Sequence, residues 1–128
     1  MNPWLNPVLR EDFESQVRSL AKGILDEREE LVTSSRRMRD LLIELGVPIE
    51  DSALQTFAAI VVDSAHLPMG KQRDYWDEAA LEVKDAQIAE LEAYWTAQGS
   101  EACKAIAARF ARPPVPPDDS PLNESSLW

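Results

Sequence analysis

Cysteine and histidine are almost missing from this sequence: Cys103 and His66 are single occurrences. One cysteine excludes an internal disulfide framework, and the pair falls short of the four ligands of a structural zinc site. Such sparing use of thiols fits a reducing, cytoplasmic compartment. Glycine is also scarce. Gly23, Gly46, Gly70 and Gly99 lie far apart, and this removes the P-loop and the dinucleotide fingerprint, which both need clustered glycines. Basic residues are outnumbered, 13 Lys and Arg against 23 Asp and Glu, for a formal charge of -10. A chain so acidic repels phosphates, so direct nucleic-acid binding is not expected. No apolar run approaches the roughly 20 residues of a membrane span, and the N-terminal stretch lacks the basic region of a signal peptide. A soluble protein with no membrane contact is expected.

What is present is helical periodicity. At 128 residues the chain suits one domain of about 100 to 200 residues. Asn6 before Pro7 reads as an N-cap with proline at the first helical position, and Glu11 and Asp12 follow to complement the helix dipole. From Phe13, the positions Val17, Leu20, Ile24, Glu27, Leu31, Ser34, Met38, Leu41 and Leu45 alternate spacings of four and three, as a coiled-coil seam does. A continuous helix over residues 7 to 45 would be roughly 58 Å long, with Gly23 or the weak formers Thr33, Ser34 and Ser35 as candidate bends. That seam outgrows a small bundle, so homo-oligomer pairing through the first helix is expected.

Gly46, Val47 and Pro48 close the segment. Ser52 with Gln55 makes a capping-box pattern for a second helix. Its Leu54, Phe57, Ala58, Ile60, Val61, Val62 and Ala65 mark it as the buried central element. After the break at residues 66–70, a third helix should run to Gln98. Trp76, Ala80, Val83, Leu91 and Tyr94 would line its apolar face, and Glu78, Glu82 and Asp85 its solvated one. Gly99 would stop it, and Ser100 would start a short fourth helix bearing Cys103, Ile106, Ala107 and Phe110. The expected fold class is therefore all-α, a four-helix bundle-like domain over residues 1–112 with a long first helix. Five prolines crowd residues 113–128, so that segment reads as an extended Pro-rich acidic tail sampling polyproline-like conformations.

Catalytic material is thin. Cys103 on an apolar helix face is the usual setting of a small buried hydrophobe, and His66 at a helix end does not make it a nucleophile. Asp63 and His66 form one D-x-x-H, whereas di-iron bundles repeat such a motif on two helices. Glu27, Arg28, Glu29 and Glu30 contain E-x-x-E, and Glu82, Val83, Lys84 and Asp85 contain E-x-x-D. Facing carboxylates of this kind can hold Mg²⁺ against a nucleotide phosphate. In this the pair resembles the all-α nucleotide pyrophosphohydrolases, although their two motifs sit on neighbouring helices and these are separated by two helix breaks. The resemblance implies a Mg-dependent enzyme. The ordinary solvated-face reading of the same acids implies no metal, no cofactor and no catalysis.

Partner binding is the leading expectation: a non-catalytic interaction protein, an adaptor, assembly component or inhibitor that binds a larger protein partner. Trp4 with Leu5, and Leu127 with Trp128, lie outside any periodic segment that would bury them, and Trp is enriched at interface hot spots. Arg36, Arg37 and Arg39 are the one dense basic cluster, suited to gripping an anion or acidic partner, or to pairing along the helix as Arg36 with Asp40. A second binding reading is an acidic inhibitor mimicking nucleic acid.

Overall fold

A computed structural model describes residues 4–68 and 70–111. Among these residues the structure is wholly helical: α1 (Pro7–Leu25), α2 (Leu31–Glu44), α3 (Ser52–Asp63) and α4 (Glu78–Arg109), with a 3₁₀ segment at Gly70–Tyr75 and no strand. No described helix is long and apolar enough to cross a membrane. The expected tail, with Leu127 and Trp128, lies outside the described residues.

Asn6 caps α1 as its sequence predicts, its Oδ1 accepting from the Val8 N–H at 2.8 Å with Pro7 at the start of the helix. Glu11 and Asp12 fall beyond the first turn, which holds no acid. The long first helix does not form. It breaks at residues 26–30, between the two bends that the sequence suggests. Arg28 N–H bonds Gly23 O at 2.8 Å and Glu27 N–H bonds Ile24 O at 3.1 Å, with Glu27 at φ 62°. This pair of bonds is a Schellman ending, with a glutamate in the left-handed position that glycine ordinarily fills. Helix α2 ends the same way. Val47 N–H bonds Leu42 O, Gly46 N–H bonds Ile43 O, and Gly46 has φ 82°.

The break folds the seam onto itself. Val17, Leu20 and Ile24 on α1, and Leu31, Met38, Leu41 and Leu45 on α2, are all buried within one chain, so the expected pairing between copies loses the surface that motivated it. Of its polar positions, Glu27 sits in the break and Ser34 is buried on α2.

Helix α3 starts one residue earlier than the capping-box pattern implies, because Asp51 rather than Ser52 caps it, accepting from Leu54 N–H at 3.0 Å. Leu54, Phe57, Ile60 and Val61 are buried, but Val62 and Ala65 are exposed. The larger correction is at Gly99. The expected third and fourth helices are one helix, α4, of 32 residues, about 48 Å long. Gly99 is buried inside it, and a Cβ there would press on Leu31 Cδ2 and stand 2.8 Å from Cδ1. Glycine here admits the neighbouring helix rather than stopping its own.

Helix α4 packs against α1, α2 and α3. Its C-terminal half carries Ala102, Cys103 and Ile106 into the core, with Phe110 just beyond, as their spacing predicts. In the first half only Ile88 is buried, so the expected apolar face is largely wet: Val83 and Tyr94 are exposed and Trp76 is more than a third exposed. Trp95 sits half-buried, donating Nε1–H to Asp63 at 3.0 Å with its ring edge-on to Tyr94.

Candidate functional site

The capped start of α1 fixes the geometry of its first turn. Trp4 and Leu5 precede the helix, ahead of the Asn6 cap, and Val8 and Leu9 lie in its first turn. Leu5 turns inward and packs against the core. Trp4 stays 92% exposed, Val8 77% and Leu9 49%. Of the two residues that the sequence singles out at this end, Trp4 is thus presented outward and Leu5 is a foundation beneath it.

Along the same ridge of α1, Gln16 accepts from Arg37 Nη2 at 3.1 Å and donates its Nε2–H to Asp12 at 2.8 Å. This relay ties α1 to α2 beside a cleft of about 450 Å³, lined by Thr33, Arg36, Arg37, Asp40 and Leu41 among others. Arg39 is not part of the cleft lining. It bonds Asp40 through Nε at 3.1 Å and Nη2 at 2.9 Å, and so takes the carboxylate that the helical spacing offers to Arg36. The three arginines therefore divide: two on a cleft with an aliphatic floor, one in a surface ion pair.

The acidic motifs do converge, by a route that their sequence separation hides. Glu30 and Asp85 line one cleft of about 600 Å³ together with Arg73 and Glu92. Arg73 occupies Asp85 with two parallel bonds, 2.8 and 2.9 Å, and these bonds hold the carboxylate below its usual range. Glu92 is engaged differently. Its two oxygens accept the Leu31 N–H at 3.2 Å and the Val32 N–H at 2.6 Å, capping α2 from another helix, since Glu30 makes no side-chain cap there. Burial raises the Glu92 carboxyl above its ordinary value, and the two backbone bonds oppose that shift only in part. Among the described residues no group of three or more His, Cys, Asp or Glu side chains stands close enough to hold a metal ion.

The remaining chemistry-bearing residues are apart. Cys103 is fully buried and desolvation pushes its thiol up to about 11, while His66 is exposed past the end of α3. Sequence reasoning missed Glu92 and Arg73, because each acts on a partner distant in the chain. No local signal marks Glu92, since Glu90 stands two residues before it on the same helix.

No protein-family model, no curated protein and no solved structure matches the chain.

Proposed function

We propose that this chain is a non-catalytic, cytoplasmic interaction protein, a four-helix bundle-like domain that serves as adaptor, assembly component or inhibitor. It docks a larger protein on the surface running from Trp4, Val8 and Leu9 to Arg36 and Arg37. The observation that carries this reading is the start of α1, where Trp4 ahead of the cap and Val8 and Leu9 in the first turn are exposed, while the later apolar residues of the helix are buried or partly buried. Clustered exposed apolar groups mark interaction sites more often than lone ones, and Trp and Arg lead the residues that dominate binding energy. The ligand side of such a contact is an apolar anchor for the α1 turn with a carboxylate for Arg36 and Arg37, since a guanidinium fork grips a carboxylate with two bonds.

The test is a binding isotherm with the partner purified from the native host, for the wild type, Trp4→Ala and Arg37→Glu. Trp4→Ala should weaken binding at least about thirtyfold, which corresponds to about 2 kcal/mol. Trp4→Ala should weaken binding far more than it lowers the melting temperature of the variant. Unchanged affinity in both variants overturns the assignment.

A further inference from the structure

The heptad phase of the first seam runs unbroken through a place where the helix itself is broken. Val17, Leu20 and Ile24 on α1 stay in register with Leu31, Met38, Leu41 and Leu45 on α2 only when residues 26–30 are counted in. Two helices joined by a turn need no common phase, whereas one continuous helix does. The turn is poorly encoded by its own residues. Arg28, Glu29 and Glu30 are good helix formers, and Glu27 holds a left-handed φ of 62° that strains an L-residue. What fixes the break comes from α4: Glu92 accepts the Leu31 and Val32 N–H groups at 3.2 and 2.6 Å, while Glu30 makes no side-chain cap. In an uninterrupted helix those two N–H groups would bond the Glu27 and Arg28 carbonyls. The cap from α4 and a straight α1–α2 therefore exclude each other. Gly23 also serves the bent form, because a Cβ there would stand 2.7 Å from Glu29 Cγ, and its three nearest atoms would all belong to Glu29.

We propose that this chain exchanges α1 with a second copy of itself: the break at residues 26–30 straightens, α1 and α2 become one helix, and each α1 packs into the place that the other has left. Short hinges under strain invite such an exchange. The geometry suits it. Gln16 meets Arg37, each at a similar distance from the break, so α1 and α2 lie antiparallel as a hairpin. Two straightened helices can then lie antiparallel about a two-fold axis through the former break, with α1 of each against α2 of the other. No free apolar surface is required. The contacts of Val17, Leu20 and Ile24 with the core, and the bond from Arg18 Nη1–H to the Phe110 carbonyl, are kept but pass between chains. The exchange does not depend on the docking surface at Trp4.

The test is the oligomeric state of the full chain refolded from denaturant at low and at high concentration, read by light scattering on the separated fractions. Concentrated refolding of the wild type should give a dimer that persists on dilution, because α1 must leave the core before the copies can part. Gly23→Ala, which crowds the bent form and favours helix, and Glu92→Ala, which removes the cap, should each raise the dimer fraction. Glu27→Gly relaxes the turn and weakens the straight helix, so it should lower the association constant at least tenfold. Cross-linking tells exchange from surface pairing. Gln16→Cys and Arg37→Cys together replace two side chains that touch, and a short bis-maleimide can join them. Cys103 is fully buried and its thiol is pushed up to about 11, so it stays unreactive. On a denaturing gel the dimer fraction should run as covalently joined chains and the monomer fraction as single ones. A wild type that stays monomeric after concentrated refolding, a dimer whose cross-links stay within each chain, or a Glu27→Gly variant that dimerises as the wild type does overturns the proposal.

Discussion

Glu27 holds a backbone conformation that an L-residue avoids. At φ 62° its Cβ crowds the following carbonyl, at a strain of roughly 1 kcal/mol or more, and the position is the left-handed one where glycine relieves that strain. Glu27→Gly is expected to stabilise the protein by about 1 kcal/mol, part of the relieved strain being offset by the greater freedom of glycine in the unfolded chain. Chemical denaturation of the two proteins measures it, and a destabilised variant would mean that the side chain contributes more than its conformation costs. The same residue explains why the break was illegible. A glutamate at a seam position reads as a polar register mark, and nothing in E-R-E-E announces a turn. By contrast, Gly46 in the identical motif announces its turn plainly. Asn6 and Pro7 were likewise legible, because a cap is a local event between residues two apart.

At the scale of elements, the sequence yields the right number of helices by two compensating errors, one helix split and two fused. The seam positions nevertheless predict burial well, because Ile24 and Leu31 remain partners whether one helix carries them or two pack side by side. Gly99 misled for the opposite reason, since its role depends on Leu31, a residue on another helix. Gly99→Ala is expected to destabilise by about 1 to 3 kcal/mol, as overpacking does, although alanine is the better helix former. A rise in melting temperature would show that Leu31 moves aside freely. The candidate site was half legible: Trp4 and the arginines stand out by type and position, whereas the α1 and α2 contact through Gln16 exists only once the chain doubles back. Glu92 adds a pH signature. Its carboxyl is raised in the folded state, so it binds protons more readily there than in the unfolded chain. Its contribution is therefore favourable below the ordinary carboxylate range and is lost as pH rises through the raised folded value. Relative to Glu92→Gln, the wild type should gain stability as pH falls from neutrality through the carboxylate range. A difference between the two proteins that ignores pH would refute this role for the buried carboxyl.

For the whole molecule, stability and recognition occupy different surfaces. The core joins buried side chains from all four helices, while the exposed large apolar groups lie at the start of α1, at Ile43, Ile49 and Val62, and at Tyr75, Trp76, Val83 and Tyr94 before and along α4. Removing residues 113–128 is therefore expected to change unfolding free energy by less than about 1 kcal/mol, the range of substitutions that leave a core intact. Loss of cooperative unfolding on removal would place part of that segment in the core.

The packing of α4 against each of the other helices also sets an order of events during synthesis. Leu31 and Phe57 emerge from the ribosome well before Cys103 and Ile106, which complete the core around them. At about 5 to 20 residues per second, translating the 32 residues of α4 takes about 2 to 6 s. For those seconds the nascent chain carries the apolar residues of three helices with no fourth to close over them.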